Sequence, residues 1–396
     1  MKNILAFFIC FTAAFNAAYA EDLSLIDLFG EEDNKQAENS QTPPQNTNIQ
    51  QDKNEKDDGE QQISNSDKKS KISEFFTFLN IPFFRSKDSF KQPELTQNKN
   101  EPQENYEQRL IKMAEAGDVD ACLTLGYVYL FGESGVKKDE EKAFKYYSMA
   151  ADKDDIIALN NLGSLYYSGI GTEKNISEAT RLFEKATQLG NYESGVNLAF
   201  IYLTQSATLD ASMRSTIVRL FNQAAEADNI TAQYMMGMIY YNGFGIAKND
   251  IKAFNYIKQA ARDYDEAQYK LAQMYINAEG TTRNYKKGIE NFSKAAKQGN
   301  IKAMITLADI LYEGKSYPKN NYEAYIWYNI ASVSNPAEAV TKRDTVEKKL
   351  KIEEILQAQA VAETFKVSPS EITTYIRRTF GENIGEYLNT TKTQNF

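Results

Sequence analysis

The chain has 396 residues and a formal charge of −9, from 45 basic and 54 acidic side chains, and it contains no histidine. That absence excludes Ser-His and Cys-His nucleophilic triads, imidazole general bases and histidine-bearing metal sites. Cys10 lies in a segment expected to be removed, which leaves Cys122 alone and excludes both an intrachain disulfide and a multi-cysteine zinc site.

Residues 1–20 have the pattern of a secretory signal. Lys2 precedes an apolar run from Ile4 to Phe15, and Ala18-Tyr19-Ala20 places small residues at the −3 and −1 positions before Glu21. The run is shorter than a bilayer span and contains no lipoprotein cysteine at its end, so cleavage after Ala20, export to the periplasm or beyond, and a mature chain without a transmembrane span are expected.

Residues 21–105 carry 18 acidic and 10 basic side chains, so nearly all the acidic bias of the chain sits here. Between Glu31 and Ile72 the hydrophobic residues are Ala37, Ile49, Ile63 and Ile72 alone, too few to offset chain entropy, and a disordered tether is expected. Two apolar islands interrupt it, 23–29 and 75–84, the second holding five phenylalanines. That island fits either an N-terminal cap on the following array or a linear motif for a partner or a membrane surface. Neither tether nor remainder is basic, which argues against nucleic acid as a partner.

From Tyr106 the chain repeats itself. One small-residue column runs through Ala121, Ala158, Ser194, Ala232, Ala267 and Ala303, and another through Ala114, Ala150, Ala186, Ala224, Ala260, Ala295 and Ala331, with a period of 35 to 38 residues. Self-similarity at this spacing predicts a solenoid. Leu125-Gly126, Leu162-Gly163, Leu198-Ala199, Met236-Gly237, Leu271-Ala272 and Leu307-Ala308 follow the first column, where small residues let a neighbouring helix approach. Asp139, Asn175, Asn249, Asn284 and Asn320 mark the starts of second helices, and Tyr147, Phe183, Phe221, Ile257, Phe292 and Tyr328 form their buried column. Each unit is then a pair of short helices that is marginal alone and depends on stacking.

The stretches Ala158 to Gly171 and Ala232 to Gly245, with their shared Leu/Met-Gly, Tyr-Tyr and Gly-x-Gly elements, resemble the Sel-one-like repeats related to tetratricopeptide repeats. About six units cover Val119 to Ser334. The resemblance implies an all-α, right-handed α/α solenoid spanning 106–335, with first helices lining the concave face. Two units depart from the pattern: the third replaces its glycine turn with Gln205 to Thr216 and loses its Asx cap, and the fifth carries Ala278-Glu279-Gly280. A bulge or change of curvature is expected near Gln205 to Ser215. Residues 336–396 look like C-terminal capping helices, with Ser368-Pro369-Ser370-Glu371 opening one of them.

Gly169-Ile-Gly171 and Gly243-Phe-Gly245 lack a preceding strand, a third glycine and a P-loop lysine, and read as C-capping turns instead of phosphate loops. Acidic pairs such as Glu140-Glu141 and Glu353-Glu354 would suit a glycan hydrolase only if they converged, and adjacent helical residues point apart. No catalytic, metal or cofactor residues are expected.

The better candidate is a face. Three, six and ten residues after the first column lie Thr124, Tyr127 and Phe131; Asn161, Ser164 and Ser168; Asn197, Phe200 and Thr204; Met235, Met238 and Asn242; Lys270, Gln273 and Asn277; Thr306, Asp309 and Glu313. These positions are spared by the packing columns and share one helical side. The expected groove has aromatic and methionine anchors toward its N-terminal half and turns polar, then acidic. It suits a peptide or helix of a partner protein. By resemblance such proteins act in envelope signalling, motility, assembly or host contact. An envelope-attached structural factor is the alternative, and oligomeric state is not legible.

Overall fold

A computed structural model of the protein describes residues 103–390 except 206, 207 and 335. The expected signal at 1–20 and nearly all of the tether, with both its apolar islands, lie outside the described residues. Among those described, every regular element is helical. The first, α1 (Gln103–Glu115), starts three residues ahead of the expected boundary at 106.

The array then runs as helix pairs: α2 (Val119–Phe131) with α3 (Glu140–Ala151), α4 (Ile156–Ser168) with α5 (Ile176–Gln188), and α6 (Tyr192–Gln205) with α7 (Ala211–Glu226). It continues through α8 (Ile230–Asn242) with α9 (Asp250–Ala260), α10 (Asp265–Asn277) with α11 (Tyr285–Lys297), and α12 (Ile301–Glu313) with α13 (Asn321–Ser332). Each helix packs on its hairpin mate, and each second helix also packs on the first helix of the next pair.

The sequence explains both helix ends. Asp139, Asn175, Asn249, Asn284 and Asn320 each accept a hydrogen bond from a first-turn N–H of a second helix, each such cap being worth about 1 kcal/mol. First helices α2, α4, α8 and α12 are capped in the same way by Asp118, Asp155, Asn229 and Asn300. At their other ends Gly132, Gly169, Gly243 and Gly314 take the left-handed conformation and return an N–H to the last turn. The second glycine of the Gly-x-Gly turn has a packing duty too. A Cβ on Gly171 would stand 2.1 Å from the Glu140 carbonyl oxygen, so the turn is pressed against the preceding repeat.

The buried column is complete: Tyr147, Phe183, Phe221, Ile257, Phe292 and Tyr328 are all at most 2% exposed. Gly126, Gly163 and Gly237 lie against Tyr147, Phe183 and Ile257, where an added Cβ would meet the side chain at 2.6 to 2.9 Å. The small-residue column therefore brings the two helices of a hairpin close together.

The third unit differs from expectation. Its second helix does not lack an Asx cap: Asp210 accepts from the Met213 N–H at 2.7 Å. The cap sits three residues earlier than in the other units because α7, at 16 residues, is longer than the 11 to 13 residues of α3, α5, α9, α11 and α13.

The C-terminal region also differs. Helices α14 (Pro336–Glu347) and α15 (Ile352–Thr364) cover α13. Trp327 meets Phe365 edge to face at 5.6 Å, and the Tyr325 hydroxyl bonds Glu347 and Gln359 at 3.2 Å. Residues 371–390 do not cap the end of the array. After an irregular stretch at 365–370, α16 (Glu371–Phe380), a 3-10 turn (Ile384–Glu386) and α17 (Tyr387–Thr390) pack against the first helices α6, α8 and α10.

Candidate functional site

The face built by first helices is therefore partly occupied by the protein's own chain. Helix α16 is strongly amphipathic: Ile372, Ile376 and Phe380 recur at helical spacing, and both isoleucines are buried within the same core as Phe200, Tyr234 and Met235. Phe380 stacks on Phe200 at 4.0 Å between ring centroids, and Tyr387 meets Phe200 edge to face at 6.1 Å. Gly385 lies over Tyr234 and Met238, where a Cβ would come within 3.2 Å of Met238. Ile384 and Leu388 complete the apolar contact with no exposed surface.

A polar anchor holds the other end. Asp265, fully buried at the start of α10, receives Arg377 Nη2 at 2.6 Å and Asn300 Nδ2 at 3.0 Å on the same oxygen, Oδ2. Its backbone N–H donates to Thr373 Oγ1 at 3.2 Å. That hydroxyl donates to Gln298 Oε1 at 2.6 Å, and the same amide oxygen accepts the Ser370 N–H at 2.9 Å. The Ser370 hydroxyl bonds the Asp263 carbonyl. Asp265 Oδ1, also buried, has no hydrogen-bond partner. Next to it, burial pushes the Glu266 carboxyl up to about 7, with the Asp265 charge adding to the shift and Lys302, Asn300 and Arg377 opposing it.

A cavity of about 470 Å³ opens beside this anchor, lined in part by Tyr264, Glu266, Lys302, Asp309, Arg377 and Asn383. Lys302 Nζ crosses its edge to Asn383 Oδ1 at 2.8 Å and Glu386 Oε1 at 3.4 Å.

The expected groove residues divide into three groups. In the centre, Met235 is in the core at 0% exposure, Phe200 and Asn197 are buried, and Met238 is covered by Gly385. None of the four is an open anchor: Phe200 and Met238 are covered by the 372–388 segment, Met235 lies in the shared core, and Asn197 donates to Asn160 Oδ1 at 3.3 Å. Asn161 and Ser164 are also buried, and the Ser164 hydroxyl donates to the Asn160 carbonyl at 3.0 Å. Asn161 and Ser164 thus have local packing duties, although Ser164 also edges a small crevice with Phe200 and Phe380.

Thr124, Tyr127 and Phe131, on α2, keep partial exposure, with the two rings 4.9 Å apart. Asn242 is half-buried. At the other end, Lys270 lies over the Tyr241 ring at 3.4 Å, and burial lowers its pKa. Gln273 donates to the Tyr269 hydroxyl at 3.0 Å. Thr306 and Asp309 line the cavity, with Asp309 accepting from Lys342 at 2.8 Å and from Tyr328 at 2.5 Å. Asp265, Glu266, Gln298 and Arg377 were missed. Their signal is the acidic pair at the start of α10, together with the one arginine on the inward edge of the α16 stripe.

Among the described residues no helix is long and apolar enough to cross a membrane, and no cluster of three or more metal-ligating side chains occurs.

The Sel1 repeat family profile matches residues 119–155, 156–191, 230–265, 265–300 and 301–332. The unmatched interval contains the unit with the lengthened α7. The Sel1-repeat-containing protein YjcO of Escherichia coli K12 is 32% identical over 166 residues, covering 41% of this chain and 68% of its own. The ERAD-associated E3 ubiquitin-protein ligase component HRD3B of Arabidopsis thaliana is 33% identical over 110 residues, or 28% of this chain and 17% of its own. A solved Sel1 repeat protein from Oxalobacter formigenes aligns at 26% identity with a TM-score of 0.48, over 58% of this chain and 99% of its own. Sel1-repeat proteins generally serve as protein-interaction scaffolds. With helix pairs, caps and glycine turns in register with the matched repeats, this chain belongs to the Sel1-repeat family.

Proposed function

We propose that this is an exported interaction scaffold that holds a segment of another protein along the face of its first helices, in the periplasm or outside the cell, as an adaptor in envelope signalling, motility or host contact. One observation carries the reading. The face seats an amphipathic helix, its own α16, through an aromatic stack, buried aliphatic side chains and a charged anchor. These are the means by which grooves receive a partner helix. Beyond the seated segment, Thr124, Tyr127 and Phe131 retain exposed surface, which suits them as further anchors. Export rests on the charged start, apolar run and Ala18-Tyr19-Ala20 of the first 20 residues.

The test is a photo-crosslinking residue placed at Tyr127 or Asn242 in the producing cell, followed by mass spectrometry. A defined protein recovered from both positions, and not from a probe at exposed Ile251 on α9, supports the scaffold. Equal recovery from all three positions, or none, defeats it. N-terminal sequencing of the same material tests export, with Glu21 as the expected first residue and Met1 as the contrary result.

A further inference from the structure

We propose that residues 370–388 are a releasable internal ligand of this face, and that the segment gives way to a partner helix of the same chemistry. The pattern to be matched is that of Ile372, Ile376, Arg377 and Phe380: two aliphatic side chains four residues apart, an arginine next to the second and an aromatic three further on. The proposal rests on the scaffold reading and adds to it a partner class and a means of control.

The attachment is made by side chains. Among the described residues, the backbone hydrogen bond joining 365–390 to the repeats is that from Ser368 to Lys297 at 3.0 Å, at the segment's root. The connecting stretch at 365–370 is irregular, Val367 is half exposed at 51%, and Pro369 has no N–H to donate. Such a connection permits the helix to leave as a unit. The repeats beneath retain their caps, glycine turns and buried column, all of which are formed within and between the pairs themselves.

The docked arrangement also carries an internal cost. With the segment closed over α10, Asp265 is buried with one carboxylate oxygen unpartnered, and burial raises the pKa of the half-buried Glu266 beside it. Release would return both groups to water. Apolar contact at Phe200 and Met238, together with the Arg377–Asp265 ion pair, therefore opposes the desolvation of Asp265 and Glu266, and the balance is one that a competing helix can tip. The cavity beside Glu266 and Asn383 shows that the segment does not fill the face to its edge.

The test uses the full mature chain and a fluorescent peptide copying residues 367–390. In the wild type, amides of α16 should exchange through local opening at least a hundredfold faster than those of α8. The variant R377A/F380A should bind the peptide at least tenfold more tightly than wild type. A chain locked by a disulfide between M238C and G385C should bind none until reduced. Exchange of α16 only at the rate of α8, or equal peptide affinity across the three chains, would make the segment permanent core and overturn the proposal. Should R377A/F380A fail to fold by circular dichroism, wild-type exchange and the locked chain decide. A concentration-dependent dimer of the loosened variant would assign the face to a second copy's tail, against the proposed partner. If the locked chain still crosslinks a partner through Tyr127, the scaffold reading survives alone. A segment that opens in a chain that captures nothing would leave the internal ligand and remove the scaffold.

Discussion

Arg377 and Asp265, 112 positions apart in sequence, meet with Nη2 2.6 Å from Oδ2, and the carboxylate side chain has no exposed surface. Removing one partner of a buried pair leaves an uncompensated charge, a loss of about 3 kcal/mol or more. Arg377→Ala is therefore expected to raise the exchange of α16 amides by roughly a hundredfold while leaving α2 to α5 unchanged. Adding Asp265→Asn should recover part of the loss, because a neutral amide tolerates burial better than an orphan carboxylate. Hydrogen exchange read by mass spectrometry checks both; unaltered exchange in Arg377→Ala would show the pair to be without effect.

Met235 and Tyr127 both belong to the expected face, at different positions of the repeat, and should respond differently. Met235 is fully buried, so Met235→Ala opens a cavity and is expected to cost about 2 to 4 kcal/mol of stability, seen as a lowered urea midpoint. Tyr127 is partly exposed beside Phe131, so Tyr127→Ala should cost less stability and instead reduce partner crosslinking. The reverse ordering of the two urea midpoints would contradict the assignment of Met235 to the core.

Ala278 ends α10 at φ 61°, in the left-handed region that glycine occupies at the ends of α2, α4, α8 and α12. A Cβ there costs about 1 kcal/mol, so Ala278→Gly is expected to stabilise the chain by roughly that amount in thermal or urea denaturation. Gly171→Ala should destabilise by more than about 2 kcal/mol, since its Cβ would collide with the Glu140 backbone. If both substitutions prove neutral, the turn geometry is not as described.

Glu266 and Glu323 are both pushed up to about 7 from an ordinary value of 4.5, burial being the first cause in each. A raised carboxyl pKa means that the folded state binds more protons than the unfolded state between those limits. Stability from these groups is thus greatest below pH 4.5, falls as pH rises toward 7, and levels off above. Glu266→Gln/Glu323→Gln should flatten the decline in urea midpoint between pH 5 and 7.5. An unchanged pH profile in the double variant would rule these carboxyls out as its source.

Much of the fold was legible because it is local and repeated. Asn249, four residues before Ala253, and Gly243, at the close of α8, each specify a helix end through contacts within a few residues, and repetition confirms the register. The lengthened α7 was misread because Asp210 lies outside the repeat spacing, although its capping chemistry is the same. The candidate face was legible only as a set of positions. Helical spacing places Phe200, Met235 and Met238 on one side without saying what covers that side.

By itself, then, the sequence determined the helix pairs, their caps and turns, and the column from Tyr147 to Tyr328 on which they stack, because those depend on side chains within one repeat of each other. The tertiary structure decided where residues 370–388 go. An amphipathic stripe such as Ile372, Ile376 and Phe380 requires an apolar surface but does not name one. The choice of the face bearing Phe200, against the chain end beneath α15, arises from contacts more than 100 residues apart, such as Arg377 with Asp265, that no local pattern encodes.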